Sequence, residues 1–162
     1  MDKIAHANNN ERKSIFIEAA NRTSLNNFVI EKNFWESWII SRIFNNDELS
    51  QILYLKGGTS VEDIDIIISG DAKTLIRPFA LFEKIRYVLA NICSIYPYKY
   101  DALIFLVKYP HVFDCSFIQP EIKLKIDYSS LQVPNELYPV SSFVAKALPE
   151  LNLNIPRVPT IW

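Results

Sequence analysis

The chain has 162 residues, of which 49% are hydrophobic and 22% charged, and its net charge is −1. That length suits one domain with a real core, and the composition excludes wholesale disorder. The near-zero charge excludes a global basic field, so any contact with nucleic acid depends on a local patch.

The start, Met1–Asn10, is polar and reads as a loose leader without an apolar signal core. Glu11–Ala20 has helical character, with Ile15, Phe16 and Ala19 on one side. Asn26 or Asn27 can cap a second helix, predicted over Phe28–Phe44. Its apolar stripe is Phe34, Trp35, Trp38, Ile39 and Ile43, with Glu36, Ser37, Ser41 and Arg42 on the other face. The two tryptophans are read as core. Asp47 is placed to cap a short turn, and Gln51–Leu55 reads as a strand.

Val61–Ile68 reads as a second strand, ended by Ser69-Gly70-Asp71. Pro78 suits the first position of a helix running to Ile92, with Phe79, Phe82, Ile85, Leu89 and Ile92 at helical spacing. Tyr96-Pro97-Tyr98-Lys99-Tyr100 breaks it. Ala102–Lys108 and Val112–Ile118 flank Tyr109-Pro110-His111 and suggest a hairpin, and Glu121–Asp127 alternates as a further strand. Ser141–Ala147 reads as a short helix, followed by a Pro- and Asn-rich tail. The order of elements predicts an α+β fold with a mixed sheet and flanking helices.

The longest apolar runs, such as Ile64–Ile68 and Ala102–Val107, are too short to span a bilayer. A cytoplasmic protein with no membrane partner is expected. Cys93 and Cys115 lack metal-ligand spacing and read as buried free thiols, and His6 and His111 as incidental.

Chemistry concentrates at Lys56-Gly57-Gly58-Thr59-Ser60 and the neighbouring Asp63 and Asp65. On a strand, two aspartates two residues apart share a face. A hydrated divalent cation such as Mg²⁺, held by carboxylates and phosphate oxygens, would offset their repulsion. Glycines allow close backbone approach to a ligand, and Thr59 and Ser60 add hydroxyls suited to phosphate. Glycines for phosphate and carboxylates for metal are the two halves of a nucleotidyl-transfer site. The same residues also fit a plain hairpin turn followed by a solvated strand end.

Three motifs in order resemble those of the AbiEii/AbiGii abortive-infection toxins, nucleotidyltransferases of the polymerase-β-like fold. They are Val29-Ile30-Glu31-Lys32-Asn33-Phe34-Trp35, Leu55-Lys56-Gly57-Gly58-Thr59-Ser60 and Glu62-Asp63-Ile64-Asp65. A fourth stretch, Tyr109-Pro110 through Pro120–Leu124, is similar to a later strand region of the family. The resemblance implies residues 25–162 as a nucleotidyltransferase-like domain after a leader and short helix at 1–24. It implies Asp63 and Asp65 as catalytic Mg²⁺ ligands, and Lys56, Gly57, Gly58, Thr59 and Ser60 as nucleotide-binding residues. The implied partners are a nucleoside triphosphate, an acceptor such as tRNA, and a cognate winged-helix antitoxin.

Three departures accompany the resemblance. Only Val61 separates Ser60 from Glu62, where the family has a helix, so a tight hairpin is expected instead. Lys125 stands where the family's later strand carries an acid, with Lys123 and Lys125 read as solvated and Glu121 and Asp127 nearby on the same face. The family's C-terminal helical region has no counterpart after Trp162. The expectation is a shortened relative, an incomplete core with little or no transferase activity. The alternatives are a catalytically inactive remnant and an interaction domain without transferase activity.

Overall fold

The helical half begins with a reciprocal cap. Asn8 Oδ1 accepts the Glu11 N–H at 3.0 Å, and Glu11 Oε2 accepts the Asn8 N–H at 3.3 Å, which satisfies two of the N-terminal amides that a helix leaves unpaired. The computed structural model describes residues 1–56, 63–69, 76–99, 103–117, 119–129, 137–140, 145 and 147–158. In chain order the described elements begin with α1 (Asp2–Ala5), α2 (Asn9–Thr23), α3 (Asn27–Phe44), α4 (Asp47–Ser50), β1 (Leu53–Lys56) and β2 (Asp63–Ser69). They continue with α5 (Pro78–Leu89), β3 (Ser94–Lys99), β4 (Ile104–Lys108), β5 (Glu121–Ser129), β6 (Leu137–Val140), a 3₁₀ turn (Pro149–Leu151) and β7 (Leu153–Val158).

The strands form one mixed sheet in the order β3-β4-β5-β2-β1-β7-β6. The carboxylate strand β2 lies at its centre, parallel to β5 and antiparallel to β1. The expected α+β class with a mixed sheet and flanking helices is therefore what the chain adopts. Alternation along the strands splits the sheet into two faces. Leu53, Leu55, Ile64, Ile66, Ile68, Phe105, Val107, Ile122, Leu124 and Ile126 are buried with α3 and α5 in one core. The opposite face carries the charged residues.

α3 is enclosed nearly all round. Ile30 through Ile40 are all buried, including Glu36 and Ser37, which the periodicity had assigned to a solvated face. α3 packs against α2, α4 and α5, against β7 and against the 3₁₀ turn, so little of its circumference remains for solvent. Trp35 and Trp38 are core, as expected, packed edge to face at 5.6 Å. Asn26 occupies the N-cap position of α3 but makes no side-chain cap bond, and Asn46 rather than Asp47 caps α4.

Four local expectations are corrected. Met1–Asn10 is held in place: α1 forms, and Asp2 Oδ1 accepts the Trp38 Nε1–H at 2.8 Å. The described part of 112–118 is not a strand. Glu31 accepts the Val112 and Phe113 N–H groups at 2.6 and 3.2 Å, taking donors that a strand ladder would need. The segment read as a helix break, Tyr96–Lys99, is most of β3, where an edge position tolerates Pro97. The tail contains β7, which pairs parallel with β1 through Leu55–Arg157 and Lys56–Val158. Of the short helix expected over 141–147, Ala145 and Ala147 are turn residues and the remainder lies outside the described residues. No described helix is long and apolar enough to cross a membrane.

Candidate functional site

β1 and β2 are antiparallel neighbours, in register through Leu53–Ile68, Tyr54–Ile67 and Leu55–Ile66. The antiparallel pairing agrees with the expected hairpin, whose turn at 57–62 lies outside the described residues. Gly57, Gly58, Thr59 and Ser60 lie outside the described residues, while Lys56, Asp63 and Asp65 are described. The two aspartates alternate with buried Ile64 and Ile66, which turns both carboxylates onto the charged face.

β5 supplies the other half of that face. Its register against β2 pairs Asp63 with Lys123, Asp65 with Lys125 and Ile67 with Asp127. The Lys125 ammonium forms an ion pair with Asp63 Oδ2. Lys125 is held more basic than an ordinary lysine, first by its hydrogen bond to Asp63 and also by the charges of Asp63, Asp65 and Asp127. Lys125 is thus not the merely solvated charge the sequence suggested. Lys56 reaches Asp127 on β5 at 3.7 Å. The face therefore sets Lys56, Lys123 and Lys125 against Asp63, Asp65 and Asp127, three ammoniums and three carboxylates with no net charge.

A Mg²⁺ ion held by Asp63 and Asp65 would have to displace an ammonium, because Lys125 pairs with one oxygen of Asp63. Among the described residues no group of three or more His, Cys, Asp or Glu side chains could hold a metal.

Behind the sheet lies a polar cluster that helical spacing did not predict. Glu36 is fully buried, and its Oε2 accepts from Asn33 Nδ2 at 3.3 Å while its Oε1 has no partner among the described residues. Burial pushes the Glu36 carboxyl up to about 8, with the Asp63 charge adding to the rise and Lys32 and Asn33 opposing it. A second buried cluster pins the loop after β4. Arg12 donates to the carbonyls of Ala5, Ala7 and Pro110 at 3.0 to 3.2 Å and lies over the Trp35 ring. Cys93 is buried, which pushes its thiol up to about 12. Cys115 is only partly buried, short of the expectation. A cleft of about 1060 Å³ between α1, α2 and Ala147–Pro149 shares no residue with the charged face.

No protein-family model matches the chain, and no curated protein matches it.

Proposed function

We propose that this chain is a nucleotidyltransferase-like protein of the AbiEii/AbiGii kind whose carboxylate site is silenced, so that it binds its partners without transferring a nucleotide. The observation that carries the reading is the Lys125–Asp63 ion pair on the β2–β5 face. In metal-dependent nucleotidyl transfer, carboxylates position cations that neutralise developing charge on the phosphate. Here an ammonium tethered to β5 neutralises Asp63 and repels a second cation from that place. The ancestral reaction, transfer of a nucleotide from a nucleoside triphosphate to an acceptor such as tRNA, then lacks its metal. What is left is a surface able to meet a nucleotide or a winged-helix antitoxin.

The test is direct. Titration with Mn²⁺, followed by electron paramagnetic resonance, is expected to show no saturable binding below millimolar concentration. Labelled nucleoside triphosphate is expected to leave no label on tRNA. Lys125→Glu replaces the ammonium with a third carboxylate and is expected to create a submillimolar Mn²⁺ site. Transfer by the unmodified protein, abolished by Asp63→Ala, would overturn the reading.

A further inference from the structure

The charged face does not stop at β5. Across β4 and β3 the cross-strand rows continue as Asp63–Lys123–Leu106–Tyr96 and Asp65–Lys125–Ile104–Lys99. A third row adds Glu121–Lys108–Ser94. Away from the aspartates the surface therefore becomes aliphatic, then aromatic and cationic.

Two tyrosines rise from the edge strand. Tyr96 is 48% exposed and Tyr98 57%, so both rings are open to solvent on the same strand. Ammonium groups lie over these rings, one over Tyr96 and two over Tyr98. Lys108 Nζ lies 5.2 Å from the centroid of Tyr96, and Lys99 and Lys123 each place Nζ 5.9 Å from the centroid of Tyr98. These lysines come from three strands, β3, β4 and β5, and converge on two rings. The carboxylates nearby are Glu121, across from Lys108, and Asp63, which is engaged by Lys125. Taken together, Lys56, Lys99, Lys108, Lys123 and Lys125 against Asp63, Asp65, Glu121 and Asp127 leave the continuous face at +1, with the excess on the β3–β4 side, within a molecule of net charge −1.

We propose that the β3–β4–β5 face binds single-stranded nucleic acid, with bases stacked on Tyr96 and Tyr98 and phosphates held by Lys99, Lys108 and Lys123. Flat rings flanked by cations match the two chemical features of a single strand, its π-faces and its phosphates. A duplex offers such a surface its phosphates but not its π-faces, because its bases are already stacked on one another. The strand would run along the edge toward Lys123 and the Asp63–Lys125 pair. The inference does not depend on whether that pair is silent.

Fluorescence anisotropy of labelled twelve-residue oligo(U) and oligo(dT) tests it, with the full chain at several KCl concentrations. Saturable binding of at least one oligomer is expected, with a log–log salt slope near −2, about −0.7 for each of three phosphates. Tyr96→Ala and Tyr98→Ala are each expected to weaken binding about tenfold or more. Lys108→Gln is expected to flatten the salt slope. Inorganic polyphosphate, which has the charge without the bases, is expected to compete poorly. The exposed positions let circular dichroism verify that each variant keeps its fold. Absence of binding, equal competition by polyphosphate, preference for duplex, or full affinity in both folded tyrosine variants would overturn the proposal.

Discussion

Glu36 illustrates what a single buried carboxyl does to the whole molecule. Its folded pKa of about 8 lies above the ordinary 4.5, so between those values the folded state holds a proton that the unfolded chain releases. Stability therefore falls as pH rises through that window and levels off above it, by on the order of a few kcal/mol. Glu36→Gln keeps the shape and cannot ionise. Its melting temperature is expected to match the parent's near pH 4.5 and to exceed it by several degrees at pH 8, given roughly 2–4 °C per kcal/mol. A constant offset across that range in scanning calorimetry would sink this account. Nothing in the helical periodicity marked Glu36, because a glutamate among hydrophobes at the right spacing reads as the wet side of an amphipathic helix. Lys125 was legible only as a lysine standing where the resembled family carries an acid. Its pairing with Asp63 depends on the parallel register of β2 and β5, strands separated by α5 and a hairpin.

At the scale of elements, local chemistry was read well wherever it acts alone. Helices α3 and α5 announced themselves by apolar spacing and, for α5, by Pro78 at its first turn. Strands β2 and β5 did so by alternation around Asp63 and Lys125. The failures involve partners distant in sequence. The stretch after Tyr109 looked like a strand, yet Glu31 satisfies its amides from α3. Pro97 looked like a stop, yet as an edge strand β3 needs no outward donor there. The period-two spacing of Tyr96 and Tyr98 was the available clue. Helix α2 offers a clean check of local energetics. Asn8→Ala removes the acceptor for the Glu11 amide and is expected to cost about 1 kcal/mol, seen as a fall of roughly 2–4 °C in thermal melts followed by circular dichroism.

For the molecule as a whole, one contiguous core joins Phe16 of α2, the tryptophans of α3, strands β1, β2, β4 and β5, and Leu148 and Leu151 near the 3₁₀ turn. Unfolding in urea is expected to be a single transition, with tryptophan fluorescence and far-ultraviolet circular dichroism giving one midpoint. Separated midpoints would mean that the N-terminal helices melt apart from the sheet. The all-round enclosure of α3 also bears on how the protein is born. Its covering surfaces include β7 and the 3₁₀ turn, which follow it in the chain. On the ribosome, Phe34, Trp35, Trp38 and Ile39 must wait for ~110 further residues, roughly 5–20 s at ordinary elongation rates. During that interval the apolar residues of α3 are expected to lie open to holdase chaperones.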